Sequence, residues 1–125
     1  MMTSTRKQRY PSLLTQKEIV RLLRHGIYAV CPTTAAVTGP SGEVVTPFDE
    51  HHEDGNRLFV RLYWNKKRKT ISLARLAWMA RTLQPVPPKF EIHHRNGVRY
   101  DNAFDNLLCV HKLDHDKLHC GDVPF

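Results

Sequence analysis

Five of the eight histidines of this chain lie within residues 91–119, in the segment EIHHRNGVRYDNAFDNLLCVHKLDHDKLH. Histidine ionises close to neutral pH, and its neutral ring binds metal ions, so clustered imidazoles can accept a proton or hold a cation. Such a cluster can form a catalytic metal site, a structural metal site or a polar surface. The five residues are His93, His94, His111, His115 and His119.

The last three of these histidines lie in HKLDHDKLH, a stretch with helical character in which His111 is a candidate N-cap. His115 and His119 are four residues apart, so on a helix both imidazoles project from one face with Cβ atoms about 5–6 Å apart. This spacing suits two ligands of one metal ion. His111 and His115 have the same spacing and form an alternative pair if the helix begins earlier.

The first two histidines end FEIHH, which we predict to be a strand that runs into a turn at RNG. Neighbouring residues on a strand point to opposite sides, so His93 and His94 do not easily bind the same ion. One of them can bind the metal while the other faces the substrate. In a phosphodiester hydrolase, an imidazole activates water and a cation stabilises the charge that develops on the phosphate.

The elements around this segment can also be predicted. NLLCV is a short apolar strand that can pair antiparallel with FEIHH, so the order is strand, loop, strand, helix. Upstream, the strand-like stretches RLFVRLYW and KTISL, joined by the basic turn NKKRK, predict a β-hairpin. Ser72 can cap a helix that PVPP ends.

The N-terminal part begins with a polar, basic arm at residues 1–12. Thr15 and Glu18 have the spacing of a capping box, and apolar residues follow at helical spacing, so we predict a helix at 15–25. Residues 27–56 are interrupted by proline and glycine and predict irregular β structure. We divide the chain into residues 1–56, an extension, and residues 57–125, the domain that carries the histidines.

The chain is basic, with 19 lysines and arginines against 12 acidic residues and a net charge of +7. Between residues 57 and 81 there is no acidic residue. A continuous basic segment favours nucleic acid, because it displaces the counterions condensed on the phosphates. A solvated hairpin face is the alternative. The basic residues of this segment are Arg57, Arg61, Lys66, Lys67, Arg68, Lys69, Arg75 and Arg81.

A strand with His-His, a loop, Asn-Leu, a second strand and a helix with His-x-x-x-His together resemble the HNH endonucleases. The resemblance is closest to the colicin-type and the phage or homing-type members, and it extends upstream over the hairpin and short helix, covering about residues 54–119. It implies an α+β protein with a ββα-metal motif preceded by a β-hairpin and a short helix. The N-terminal helix and the irregular β extension would lie before that unit.

The resemblance also implies roles for individual residues. His94 would be the general base, and Asn106, from the Asn-Leu pair, would tie down the loop and keep the base oriented. His93, His115 and His119 would bind one divalent ion, Mg²⁺, Mn²⁺, Ni²⁺ or Zn²⁺. Arg95 and the basic segment would contact DNA, expected to be double-stranded. Cleavage would leave a 5′-phosphate and a 3′-hydroxyl.

Some alternatives remain open within this interpretation. Asn102 could replace Asn106 as the loop anchor, although the leucine after Asn106 favours the latter. HHEDGN at residues 51–56 resembles the start of an HNH motif, but no Asn-Leu and histidine helix follow it, so His51 and His52 are interpreted as loop residues.

Two other functions compete with the nuclease. One is a non-catalytic module that binds nucleic acid or protein around a structural zinc, for instance with Cys120 as a fourth ligand. The other is a domain that acts on a partner protein. A closed four-ligand site would favour the module, and an open coordination position would favour the enzyme.

No apolar run approaches the roughly 20 residues needed to span a bilayer. Three cysteines without a CxxC pair indicate reduced thiols rather than a disulfide framework. We therefore expect a protein of the cytoplasm of a bacterial or phage-infected cell, with no membrane partner. Homodimerisation would decide between nicking and double-strand cleavage, and the sequence does not specify it.

Overall fold

A computed structural model describes residues 12–52 and 55–114, and for residues 51, 52, 55 and 56 it describes the backbone alone. Along the chain the elements are β1 (Ser12–Leu13), α1 (Gln16–Arg24), β2 (Ala29–Val30), β3 (Val37–Thr38), β4 (Val44–Val45), β5 (Phe48–His52), β6 (Gly55–Trp64), β7 (Lys67–Ser72), α2 (Leu73–Thr82), β8 (Phe90–His94), a 3₁₀ turn (Phe104–Asn106) and β9 (Leu107–His111). A helical turn at 112–114 follows β9 directly.

Helix α1 begins with the predicted capping box. The Thr15 hydroxyl accepts a hydrogen bond from the Glu18 amide at 3.1 Å, and the Glu18 carboxylate accepts one from the Thr15 amide at 3.0 Å. These reciprocal bonds satisfy amides that the first helical turn leaves free. The helix ends before Gly26, whose φ of +71° suits a residue without a side chain. Its prediction at residues 15–25 is confirmed to within one residue at each end.

The main sheet has the strand order β1-β7-β6-β5, with β1 parallel to β7 and the other pairs antiparallel. The β6–β7 hairpin turns on Asn65 and Lys66, both in the left-handed region with φ of +51° and +61°. Two such residues match the right-handed twist of the strands in a tight hairpin. The predicted five-residue turn NKKRK was therefore too long, and its last three residues belong to β7.

Residues 27–52 form the predicted short strands. Strands β2, β3 and β4 make a small antiparallel sheet, and β5 joins the edge of the main sheet. The side chains of His51 and His52 are outside the description, but both residues lie in β5 rather than in a loop, so the interpretation as loop residues was wrong. Because these residues form β5, the segment that precedes the basic hairpin in sequence belongs to the same sheet as the hairpin.

Helix α2 is capped by Ser72, whose hydroxyl accepts a hydrogen bond from the Arg75 amide at 3.2 Å, as predicted. It ends at Leu83, which takes a left-handed conformation with φ of +56°. No helix in the described part of the chain combines the length and the apolar character needed to cross a membrane.

One core connects the two parts of the chain. Its buried side chains come from α1, the inner side of β6 and β7, α2 and the segment after α2, with Ile19, Leu62, Leu76, Met79 and Val86 among the fully buried ones. A smaller cluster of Ala74, Ala77 and Leu107 packs α2 against β9. Residues before and after position 56 thus share a core, while the division into two domains at that position stays a prediction.

Candidate active site

Strands β8 and β9 pair as predicted and bring the two ends of the loop 95–106 together. His93 lies opposite Leu108 and His94 opposite Leu107, and beyond this last pair the Arg95 amide donates to the Asn106 carbonyl at 2.8 Å. The loop then turns sharply, with the Gly97 amide bonded to the His94 carbonyl at 3.0 Å. His94 is therefore fixed where the strand passes into the loop.

The two adjacent histidines have different surroundings, as strand alternation requires. His93 is buried, with 9% of its surface exposed, and His94 is half-buried. Among the residues that the structure describes, His93 and Asn102 are the buried side chains of polar type. Because burying a polar side chain is costly unless it has partners, both positions indicate a specific role in the loop or the site.

Asn102 contacts the proposed base directly. Its Oδ1 lies 2.8 Å from Nε2 of His94, and its Nδ2 donates to the Arg99 carbonyl at 3.5 Å. The predicted partner, Asn106, makes no such contact with the imidazole in the described bonds. Instead, Asn106 Nδ2 donates to the Asp101 carbonyl at 2.8 Å, and its Oδ1 accepts from the Asn96 amide at 3.0 Å. The two tasks expected of Asn106 are thus divided between two asparagines.

The electrostatic surroundings of His94 favour its neutral form. Burial lowers the pKa of the imidazole, and the positive charges of Arg57 and Arg99 lower it further. The hydrogen bond with Asn102 and the charge of Asp101 act in the opposite direction but do not offset burial. A neutral imidazole at neutral pH is the form that can accept a proton.

The loop is also held from outside. The Phe104 amide donates to the Pro32 carbonyl at 2.8 Å, which joins the loop to the segment between β2 and β3. The hydroxyl of Tyr100 donates to Asp49 on β5 at 2.9 Å. These contacts link the 95–106 loop to two stretches that precede the basic segment in sequence.

The proposed metal ligands are only partly within the description. His93 is described, whereas His115, His119 and Cys120 lie outside the described residues. Among the side chains that the structure describes, no three from histidine, cysteine or acidic residues are grouped closely enough to hold a metal ion. Among the described residues, the buried imidazole of His93 therefore stays a predicted ligand, and no group around it completes a metal site.

His111, the alternative ligand, has a structural contact of its own. Its Nδ1 accepts a hydrogen bond from the Leu113 amide at 3.3 Å, which is a capping contact for the helical turn at 112–114. Its ring stands edge-on to Phe90 at a centroid distance of 5.3 Å. The expectation that a helix begins next to His111 is met by this geometry.

The strand register separates the predicted nucleic-acid-binding residues into groups. Arg57, Arg61 and Arg68 fall on the outer side of β6 and β7 by alternation, because the buried Val60 and Leu62 point to the core. We call these three arginines the outer arginines. Arg61 and Arg68 are exposed, and the Arg61 guanidinium lies 4.8 Å from the centroid of the Phe48 ring.

Other members of the predicted set contact the protein itself. The Lys67 ammonium forms an ion pair with Glu18 at 2.7 Å, and Arg75 donates to Gln16 at 3.3 Å, so both residues attach α1 to the rest of the fold. Arg81 lies 5.8 Å from the centroid of the Phe104 ring. Lys66 is exposed in the hairpin turn, Lys69 is half-buried, and Arg95 is exposed just after β8.

Sequence reasoning did not identify Arg99 and Tyr100 in this region, and it named Asn102 as an alternative loop anchor rather than as a partner of His94. All lie in an irregular loop, where no periodicity indicates the direction of a side chain. The presence of a second asparagine four residues before Asn106 was the one signal for Asn102. Nothing in the sequence indicated that Tyr100 reaches β5.

Comparison with known proteins gives a consistent result. Residues 74–117 match the family model of the HNH endonucleases, a range that includes β8, the loop and β9. No curated protein matches the chain. A solved structure, reported as "DNA binding and cleavage by the HNH homing endonuclease I-HmuI", is similar with a TM-score of 0.56 and 21% identity over 80% of this chain. The match covers 56% of that protein's chain, little more than half its length.

The α+β fold class is confirmed by this similarity. The resemblance inferred from the histidine pattern is confirmed as well: residues 74–117 match the HNH endonuclease family model, and the fold is similar to that of an HNH homing endonuclease.

Proposed function

We propose that this protein is a metal-dependent endonuclease that hydrolyses DNA phosphodiester bonds, with His94 as the general base. The observation that carries the proposal is the setting of His94 within the HNH segment. Its ring is half-buried at the end of β8 and bonded to a buried side chain of the following loop. Similarity to a homing endonuclease that binds and cleaves DNA supports the same reaction.

His94 would remove a proton from the attacking water. The ring is neutral near pH 7 because burial lowers its pKa, so it is ready to accept that proton. Arg57 and Arg99 bring positive charge to the same place, and that charge would attract a phosphodiester. Asn106 would keep the loop closed through its bonds to Asp101 and Asn96.

A divalent ion, Mg²⁺, Mn²⁺, Ni²⁺ or Zn²⁺, would be held by His93, His115 and His119. The buried imidazole of His93 is a suitable first ligand, because neutral imidazole binds Zn²⁺ and Ni²⁺ well. When bound, the ion would stabilise the negative charge that develops on the phosphate. The ligand roles of His115 and His119 rest on the helical spacing of these residues in the sequence.

DNA would lie against the outer arginines. Arg57 is close enough to influence His94, so this side of β6 leads from the exposed Arg61 and Arg68 toward the proposed base. Arginine suits this contact because its planar guanidinium donates two parallel hydrogen bonds to a phosphate. Lys67 forms an ion pair with Glu18, so we expect it to contribute less to DNA binding than its place in the basic segment suggests.

The test is the incubation of supercoiled plasmid with the full chain and each of the four ions, compared with EDTA. We expect metal-dependent nicking or linearisation, and a loss of about 10²- to 10⁴-fold in rate for His94→Ala, the usual contribution of a general base. His25→Ala is the matched control, because His25 is exposed after α1. Intact plasmid with every ion would instead support the non-catalytic binding module.

A further inference from the structure

Asn102 is an amide buried beside the proposed base. It is 4% exposed, and its two polar atoms face different partners, Nε2 of His94 and the Arg99 carbonyl. A buried amide that lacks hydrogen bonds destabilises the fold, so these two contacts determine how the side chain is oriented. The position of Asn102 in the loop therefore constrains the ring of His94.

The orientation of the amide determines which ring nitrogen carries the proton. A backbone carbonyl can only accept a hydrogen bond, so the NH₂ group of Asn102 must face Arg99, and its Oδ1 then faces His94. Oδ1 is also only an acceptor. Nε2 of His94 must therefore be the donor in the 2.8 Å contact, which leaves Nδ1 with a free lone pair in the neutral ring.

We propose that Asn102 is a positioning residue that selects the Nε2–H tautomer of His94 and so assigns the proton-accepting role to Nδ1. This inference rests on the proposed nuclease function for its catalytic meaning.

Asn106 provides the contrast within the same loop. Its side chain bonds to Asp101 and Asn96, so its loss should loosen the loop without a direct effect on the tautomer. Loss of the Asn102 oxygen should change the tautomer even where the loop stays folded.

The first test is spectroscopic and requires no nuclease activity. Long-range ¹⁵N–¹H correlation spectra of the full ¹⁵N-labelled chain, at a pH where the ring is neutral, distinguish the two tautomers. The His94 signals are assigned by their absence in His94→Ala. We expect the Nε2–H form in the wild type and in Asn102→Asp, which keeps an acceptor, and a mixture of both forms in Asn102→Leu. A wild type in the Nδ1–H form, or an unchanged tautomer in Asn102→Leu, would overturn the proposal.

The second test is kinetic. We expect Asn102→Leu to lower kcat for plasmid cleavage by about 10²-fold with little change in KM, and Asn102→Asp to recover most of the rate. Circular dichroism establishes whether each variant is folded. If Asn102→Leu does not fold, the tautomers of the wild type and of Asn102→Asp test the proposal. Equal losses in both variants would overturn the role of the acceptor. An inactive wild type in the Nε2–H form would refute the nuclease function while leaving the tautomer assignment intact.

Discussion

The β6–β7 hairpin and the 95–106 loop are both proposed to face DNA, but different forces hold them. The hairpin is fixed by apolar side chains on its inner side, such as Val60, Leu62 and Ile71, and its outer side is exposed. The loop is fixed by hydrogen bonds that polar side chains, including those of Asn96 and Asn106, make with the main chain and with each other. The outer side of the hairpin thus presents the exposed charges of Arg61 and Arg68 for binding. In the loop, the polar groups that maintain the structure also surround the proposed base.

This difference predicts that a change in the loop alters stability and activity together. Asn106→Ala removes two side-chain hydrogen bonds. The Asn96 amide loses its acceptor, and the Asp101 carbonyl loses its donor. We expect the free energy of unfolding to fall by about 1–3 kcal/mol. Cleavage should slow on the order of 10- to 100-fold because the loop no longer fixes His94. Urea unfolding and single-turnover cleavage measure the two effects.

Asp105→Ala is the matched control for this loop variant, since Asp105 is an exposed neighbour. It should change neither quantity appreciably. An Asn106→Ala protein that is as stable and as active as the wild type would show that the loop does not depend on this side chain.

On the hairpin, the same reasoning predicts an effect mainly on binding. The double variant Arg61→Ala/Arg68→Ala removes two exposed guanidinium groups from the outer side. We expect DNA affinity to fall on the order of tenfold, and the slope of log affinity against log salt to become shallower by about 2, because two fewer counterions are released. Stability should fall by about 1 kcal/mol at most, because Arg61 also makes a cation–π contact with Phe48. Fluorescence anisotropy at several salt concentrations measures the slope.

The control with the same loss of charge is Lys17→Ala/Arg21→Ala, which changes two exposed residues of α1. If that variant weakens binding as much as the outer-arginine variant does, net charge rather than the hairpin surface determines affinity.

The smallest effect is expected for the ion pair between Lys67 and Glu18, where a residue of the basic segment stabilises the fold. The Lys67 ammonium and then the Thr15 amide lower the pKa of Glu18 to about 2. Because the carboxyl is more acidic in the folded state, its ionised form stabilises the fold above its unfolded pKa, about 4.3, and this contribution is lost as the pH falls toward about 2. The difference in urea midpoint between the wild type and Glu18→Gln should therefore shrink over that range. A difference that is independent of pH would refute the ionic contribution of this pair.

Elements with local chemical signals could be predicted from the sequence. The capping box of α1 depends on two residues that are three positions apart, and the cap of α2 depends on Ser72 alone. Strands β8 and β9 are indicated by two short apolar stretches on either side of a polar loop. Each of these features depends on residues close in sequence, and each is confirmed.

Features that depend on direction or distance could not be predicted. The basic residues form a continuous run in sequence, but the strand register separates the outer arginines from Lys67, which pairs with α1. Asn102 rather than Asn106 reaches His94 because the irregular loop turns its side chain inward. Contacts such as Tyr100 with Asp49 join residues far apart in the chain and have no local signal.

The bond between the Phe104 amide and the Pro32 carbonyl limits how the segment that matches the family model could be transferred between proteins. Every amino acid carries a main-chain carbonyl, so this bond tolerates any substitution at position 32 that keeps the backbone path. A change in the length of the stretch that presents the carbonyl would move this acceptor away from the Phe104 amide. A fragment restricted to residues 74–117 would lack this acceptor, so a scaffold that receives these residues would have to supply another acceptor for the Phe104 amide.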